Sequence, residues 1–382
     1  MKKSDYKESK MITKKLDEAC DIEFGTRVVQ KKDGGSIYPV YGGGGATFKM
    51  DTFNRKDCLV LARFAMSKKC TRFIKGKFYL NDSGLTVKPK PTNELAQGYL
   101  DYQLLFLNNQ IYSLSRGTAQ RNLNVSAFRN LILQYPDSID QQLHIANILS
   151  KAENLIAHRK ESIALLDEFL KSTFLVFFDN PVTNRAKLKV VKLKELITFL
   201  TSGGRGWGEY YSKNGERFIR SLDVQMNYIS TEDAAYVIPP NNQEANRTKV
   251  KPHDILLTIT GSKIGRVAMV PKDFGIAYVS QHVAIIRTKD INPLYLSYYL
   301  GDINCGQYLI QKSFYGQTKP GLNFKQIENF DIILPPISLQ TQFAQIVEKT
   351  EALKTQYQCS LQELENLYGS LSQKAFKGEL VV

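Results

Sequence analysis

The chain has 382 residues, 43% of them hydrophobic, which fits a folded protein with two or three separate cores. A net charge of +14 points to a polyanionic partner. Five scattered cysteines (Cys20, Cys58, Cys70, Cys305, Cys359) form no Cys-x-x-Cys pair, which suits a reducing compartment and gives no metal site, and no apolar run reaches the ~18 residues of a membrane span.

The N-terminal Met1-Lys2-Lys3-Ser4 lacks the apolar core of a signal peptide, so a cytoplasmic location is expected. The first predicted region, 1–136, reads as mixed α/β. It opens with Lys15-Leu16-Asp17-Glu18, reaches the Gly-rich turn Tyr41-Gly42-Gly43-Gly44-Gly45, and contains the strand-like run Leu59-Val60-Leu61-Ala62-Arg63. Consecutive glycines let backbone N–H groups approach a phosphate, with Lys49 nearby to add charge; a plain hairpin is the alternative. Lys68, Lys69, Arg72, Lys75 and Lys77 fall in one ten-residue stretch with Phe73 and Phe78 interleaved. Such a run is either solvated surface or the wall of a nucleic-acid groove. With Lys49 and Arg63, the residues Lys68, Lys69 and Arg72 are the DNA-binding candidates of this region.

Residues 137–180 predict one long helix. Ile145, Leu149, Ala152, Ile156, Ile163, Leu166, Leu170 and Phe177 follow a 3.5-residue period, the seam of a coiled coil, broken only by Arg159 and Thr173. Leu165, Phe169, Phe174 and Val176 fall off this seam. Either Ser138 with Gln141 or Asp140 starts the helix. Asn180 suits a left-handed C-cap, and Pro181 forbids continuation.

The second region, 181–335, again reads as mixed α/β. It opens with Lys192-Leu193-Lys194-Glu195 and reaches Ser202-Gly203-Gly204-Arg205-Gly206-Trp207-Gly208, with strands at Ile255-Leu256-Leu257-Thr258-Ile259 and His282-Val283-Ala284-Ile285-Ile286-Arg287. Its candidate DNA contacts are Arg205, Trp207, Tyr211, Lys213 and Arg217, followed by Ser262, Lys263 and Arg266. These last three sit in Thr260-Gly261-Ser262-Lys263-Ile264-Gly265-Arg266, which lacks the Gly-x4-Gly-Lys spacing of a P-loop. Asn292-Pro293-Leu294-Tyr295 resembles the Asn-Pro-Pro-Tyr motif of amino-methylating DNA enzymes, with Leu294 in place of the second proline. The competing reading is an N-cap with Pro at the first helical position. The histidines His144, His158, His253 and His282 show no metal-ligand spacing.

Residues 336–382 predict a second long helix with a stripe of Ile346, Leu353, Tyr357, Leu364, Leu367 and Leu371. It repeats the first at an offset of 198: Ala146/Ala344, Ile148/Ile346, Lys151/Lys349, Glu153/Glu351, Leu166/Leu364 and Phe178/Phe376. Upstream, Gly117 and Leu123-Asn124 reappear as Gly316 and Leu322-Asn323. A repeat this long means a duplicated domain-plus-helix unit rather than a solenoid. Residues 137–178 carry four Lys/Arg against six Asp/Glu and residues 337–380 carry four against five, so the helices hold −3 and the remainder +17. The expected fold class is α+β, two globular parts joined by two helices. Each helix is about 60 Å long at ~1.5 Å per residue. The two pair antiparallel across a pseudo-two-fold axis; two separate helices packing within their own halves are the alternative. No nucleophile, metal set or phosphate loop stands out, which favours a reader over an enzyme.

Several strings are similar to the specificity subunit of type I restriction-modification systems. Ile332-Ile333-Leu334-Pro335-Pro336-Ile337-Ser338-Leu339-Gln340-Thr341-Gln342 resembles that family's entry into its second conserved helix, and Gln373-Lys374-Ala375-Phe376-Lys377-Gly378-Glu379-Leu380 resembles its exit. Tyr38-Pro39-Val40-Tyr41-Gly42-Gly43 and Ser221-Leu222-Asp223-Val224 are similar to pieces of its target-recognition domains. The first copy departs from the pattern at Ile132-Leu133-Gln134-Tyr135-Pro136 and Phe177-Phe178-Asp179-Asn180. The resemblance implies target-recognition domains over 1–136 and 181–335 and spacer helices over 137–180 and 336–382. Each domain would read half of a split, asymmetric site on double-stranded DNA. It further implies no cofactor in this chain: two methyltransferase subunits and motor-nuclease subunits would bring S-adenosylmethionine, Mg and ATP. A stand-alone methylating enzyme using Asn292 to Tyr295, or a nucleic-acid-binding scaffold, are the competing functions.

Overall fold

The computed structural model describes residues 10–92, 94–178, 187–314 and 320–380. Asn180, Pro181 and Gly316, singled out above, lie outside them. The first half runs β1 (Met11–Lys15), α1 (Leu16–Ala19), β2 (Cys20–Phe24), α2 (Gln30–Asp33), β3 (Tyr38–Tyr41), β4 (Ala46–Met50), β5 (Arg55–Ala62), β6 (Thr71–Leu80) and β7 (Gly84–Pro89). Then come α3 (Gln97–Phe106), α4 (Asn108–Ser113), β8 (Ser115–Arg116), β9 (Asn122–Leu123), α5 (Val125–Arg129), β10 (Ile132–Pro136) and the long α6 (Ile139–Phe178). The second half runs β11 (Lys189–Lys192), β12 (Ile197–Ser202), β13 (Tyr211–Ser212), β14 (Glu216–Ile219), β15 (Ala235–Val237), α7 (Gln243–Thr248), β16 (Ile255–Thr258), β17 (Val267–Met269), β18 (Ala277–Val279) and β19 (Val283–Thr288). It closes with α8 (Pro293–Gly301), α9 (Gly306–Phe314), α10 (Phe324–Glu328), β20 (Asp331–Leu334) and the long α11 (Ile337–Phe376).

Two compact units result, and their division cuts through both long helices: one unit is Met1–Glu161 with Gln358–Val382, the other Ser162–Tyr357. The first unit holds an antiparallel sheet in the order β2-β7-β5-β6, and β3 then lies parallel to β6 with β4 beyond it. The second holds β12-β19-β16-β17 in the same order and sense, with a separate sheet β13-β15-β14-β18 in which β14 lies parallel to β18. Strands β2, β7, β5 and β3 therefore correspond to β12, β19, β16 and β14, while β6 corresponds to β17 and β18 together. The difference has a local cause. Residues 270–276, with Pro271 and Gly275, interrupt β17 and β18. In β6 the interruption shrinks to Gly76 (φ +81), whose N–H donates to the Asp57 carboxylate at 2.6 Å.

Both units are also entered alike. The Glu18 carboxylate accepts the Lys15 N–H and the Glu195 carboxylate the Lys192 N–H, each at 3.1 Å. β1 pairs with β10 and β11 with β20. Asn124 and Asn323 cap α5 and α10. Ser138 proves to be the cap of α6, accepting from Gln141 N–H at 3.4 Å. Gln142 and Gln340, 198 residues apart, are both buried: Gln142 accepts from Ala96 N–H and donates to the Glu94 and Pro136 carbonyls, and Gln340 accepts from Asn292 N–H and donates to the Pro335 carbonyl.

Within each unit the start of one long helix packs on the end of the other. In the first, Ile145 and Leu149 share a core with Tyr368, Leu371, Ala375 and Phe376, and Lys160 meets Glu365 at 2.8 Å. In the second, Leu170, Phe174 and Phe178 share a core with Phe343 and Val347, and Lys354 meets Asp167 at 2.5 Å. Late residues of one helix meet early residues of the other, so the pairing is antiparallel in both units. Gly378 takes φ +73 and closes α11 with a left-handed cap.

Two details of the expected seam change. Phe174 is buried, because α6 there enters a core with Tyr295 of α8 as well as Phe343 of the partner helix. Leu353 and Leu367 are exposed, and the α11 seam runs instead through Lys354, Tyr357, Leu364 and Tyr368. Lys354 can hold a seam position because its apolar stem packs while its ammonium reaches Asp167.

Candidate nucleic-acid interface

The two units share one backbone frame where their sheets end in loops. Gly25 and Gly203 leave β2 and β12 with N–H groups donating to the carbonyls of Gly84 (3.0 Å) and Val283 (3.3 Å). Arg63 and Ile259 donate to the carbonyls of Ser83 (2.8 Å) and His282 (2.9 Å), and accept in turn from Leu123 and Leu322. Asn81 and Ser280 donate to Tyr41 and Ile219, and accept from Gly84 and Val283. Close approach fixes both glycines. A Cβ would fall 2.0 Å from the Asn81 carbonyl oxygen at Gly25, and 2.0 Å from that of Val279 at Gly203. The counterpart of Gly203 is thus Gly25, not the Gly42 to Gly45 turn, which is the tip of the β3–β4 hairpin.

This frame gathers part of the predicted set. Lys68 and Lys69 are exposed in the loop after β5, and Ser262 and Lys263 are exposed in the loop after β16. Arg205 is exposed two residues beyond Gly203. Arg63 lies between the rings of Phe24 (4.7 Å) and Phe64 (4.6 Å). Arg72 donates to the Gly43 carbonyl and ties the hairpin tip to β6, and burial lowers its pKa. Arg266 donates to Gln225 at 2.6 Å. Lys49 is exposed on β4 opposite Pro39, off the frame. Tyr211, Lys213 and Arg217 belong to the separate sheet, where Arg217 stacks on Phe274 and donates to its carbonyl at 3.1 Å.

Trp207 is corrected. Its indole is buried against Phe218 and Tyr278, and its N–H donates to Glu244 at 3.1 Å. It anchors the loop instead of facing solvent, because aromatic area next to flexible glycines gains more from a core than from water.

Sequence reasoning missed Arg27 and the short loops Asp82-Ser83 and Gln281-His282. Arg27 stands two residues beyond Gly25, as Arg205 does beyond Gly203, and is exposed. The signal was the spacing: Gly25 follows Lys15 by ten residues and Gly203 follows Lys192 by eleven. His282 meets the Thr260 hydroxyl at 2.5 Å through Nδ1 and the Gln281 amide at 3.3 Å through Nε2.

Several cations elsewhere are paired, Lys14 with Glu94, Arg129 with Asp17, Lys192 with Asp331, and Arg287 with the buried Asp254, while others, such as Lys49 and Lys75, enter no ion pair among the described residues. Among the described residues, Arg27, Lys68, Lys69, Arg205 and Lys263 enter no ion pair. Unpaired cations at loops are available to phosphates.

The Asn292 amide has other work. It accepts from Leu294 N–H (2.9 Å) and Tyr295 N–H (3.2 Å) as the cap of α8, and the fully buried Tyr295 hydroxyl donates to the Ile333 carbonyl at 2.8 Å. Among the described residues no cluster of His, Cys, Asp and Glu could hold a metal ion, and no helix is long and apolar enough to cross a membrane.

The sequence profile of the type I restriction modification DNA specificity domain matches this chain twice, over residues 8–167 and 186–366. The chain belongs to the type I restriction-modification DNA specificity family. Among members of that family, the specificity subunit of the type I restriction enzyme EcoBI of Escherichia coli is 23% identical over 290 residues, covering 68% of this chain and 60% of that protein. The EcoKI specificity subunit of Escherichia coli (strain K12) is 22% identical over 294 residues, covering 71% and 62%. The match spans less than two thirds of either relative's length. The fold is shared with the crystal structure of a type I restriction-modification S subunit from M. genitalium (TM-score 0.66, 17% identity, 98% of both chains). It is shared too with a chain from a structure on complex assembly and conformational transition of the type I R-M system (TM-score 0.53, 18% identity, 97% of this chain and 98% of that one).

Proposed function

We propose that this specificity-family chain is the non-catalytic DNA reader of a type I restriction-modification enzyme, each unit reading one half of a split, asymmetric site. The observation that carries this is the repetition of one backbone frame with unlike side chains and unpaired cations. A single repeated architecture with two different faces suits two different half-sites. Phosphate contacts from the cations would set orientation, and side chains at base edges would set sequence. Chemistry would come from two methyltransferase subunits and motor-nuclease subunits, which bring S-adenosylmethionine, Mg and ATP; this chain binds none of them. Leu143, Leu155, Leu165, Phe169 and Val176 are exposed along α6 and support docking of protein partners on the helices rather than of DNA.

The test has two arms. Purified chain with partner methyltransferase should methylate a bipartite duplex site, with affinity falling steeply as salt rises. Chain alone with labelled S-adenosylmethionine should leave the same DNA unmodified. Methylation by the chain alone would favour the stand-alone enzyme, and preference for RNA over duplex DNA would favour the scaffold.

A further inference from the structure

The loops joining β6 to β7 and β18 to β19 occupy one place in the shared frame and carry different residues. Asp82-Ser83 in the first unit corresponds to Gln281-His282 in the second, because Ser83 and His282 accept equivalent bonds from Arg63 and Ile259. The flanking residues Asn81 and Ser280 are equivalent by their bonds to Tyr41 and Ile219. The neighbouring arginine does not change: Arg27 and Arg205 each follow the close-packed glycine by two residues.

We propose that Asp82-Ser83 and Gln281-His282 are the discriminating positions of the two half-sites, and that Arg27 and Arg205 are their common anchors. This inference rests on the DNA-reading function proposed above. The chemistry of the two loops differs in the way base edges differ. A glutamine amide both accepts and donates and fits adenine N7 and N6, whereas an aspartate accepts from cytosine N4. The His282 ring is oriented by the Thr260 hydroxyl at 2.5 Å through Nδ1 and meets the Gln281 amide at 3.3 Å through Nε2, so the two side chains are presented as a pair.

Rigidity supports the assignment. Each loop is about three residues long and is held at both ends by backbone bonds into the sheet, with Ser83 N–H also donating to the Asn81 side chain at 2.9 Å. Side chains presented from such short closures keep a fixed register, which reading at hydrogen-bond precision requires. Tyr211, by contrast, lies on β13, the edge strand of the separate sheet, and Lys213 in the turn after it, outside the frame.

The experiment uses the full chain with its methyltransferase subunits and maps methylated positions across a randomised duplex library. The variants are Gln281→Asp with His282→Ser, which writes the first unit's loop into the second; Gln281→Ala alone; and Lys289→Ala, exposed beyond the far end of β19, as a control. We expect the double variant to lose about tenfold or more of methylation at the original site. It should relax or change one half-site only, while the control keeps both. Original methylation within twofold of wild type, with both half-sites intact, would overturn the inference. A wild-type complex that methylates no bipartite site would instead remove the function on which it rests. Should the double variant lose its folded thermal transition, Gln281→Ala decides by the same two criteria.

Discussion

Replacing Phe376 by alanine tests whether the end of the second long helix closes the first unit. The Phe376 ring is 5% exposed, lies 5.4 Å from the Tyr99 ring and 5.1 Å from that of Phe106, and belongs to the core around Leu16, Leu100 and Tyr135. Truncating a buried phenylalanine costs about 3–5 kcal/mol, from the lost transfer energy and the cavity left behind. For a unit of this size each kcal/mol lowers the midpoint by about 2–4 °C, so a fall on the order of 10 °C is expected. Hydrogen exchange read by peptide will locate the loss. Amides of α3, more than 250 residues upstream, should exchange faster, while those of α8 and β16 keep their protection. Equal loss in both units, or a loss confined to the last turn of α11, would refute the assignment of this helix end to the first unit's core.

Gln142→Ala strands the Ala96 N–H and the Glu94 and Pro136 carbonyls, and should cost about 2–3 kcal/mol in urea unfolding. Gly203→Ala places a methyl 2.0 Å from the Val279 carbonyl and should lower the thermal midpoint, whereas Gly44→Ala, with open space around it, should leave the midpoint within about a degree. Burial raises the Asp101 carboxyl to about 6, only partly offset by the bond from Gln97. Its ordinary value is about 3.9, so the folded state holds the proton over the interval between and stability falls as pH rises from about 4 to about 6, then levels. Asp101→Asn should therefore stabilise the first unit at pH 7, by on the order of 2 kcal/mol, and have little effect at pH 4; denaturant titration at the two pH values checks the sign.

The duplication, the two long helices and the opening turns were legible because their landmarks rest on local chemistry: Asn124 and Asn323 bond amides three residues on, and Glu18 and Glu195 reach back three. The start of the first long helix stayed open between Ser138 and Asp140 until the Gln141 bond placed it. The loop frame was not legible. Its bonds run from backbone N–H to backbone carbonyl, as from Arg63 to Ser83 and Ile259 to His282, and so leave no mark on side-chain identity. Gly25 therefore passed unnoticed beside the conspicuous Gly42 to Gly45 run. The burial of Trp207 was not legible for the complementary reason: its partner Glu244 lies 37 residues away. Leu353 and Leu367 showed the limit of periodicity, since a lysine with a carboxylate in reach can displace a leucine from a seam.

The discontinuous make-up of the first unit bears on the order of synthesis. Everything in the second unit lies in one unbroken stretch, so it can finish folding as soon as that stretch has left the ribosome. The first unit, begun earlier, must wait for Tyr368, Leu371 and Phe376, made after the whole of the second unit, before its apolar interior is sealed. The earliest-born lobe is the last to mature, and until then it offers an open hydrophobic seat at Tyr99 and Leu149 that nascent-chain chaperones, or another unfinished copy, would meet first.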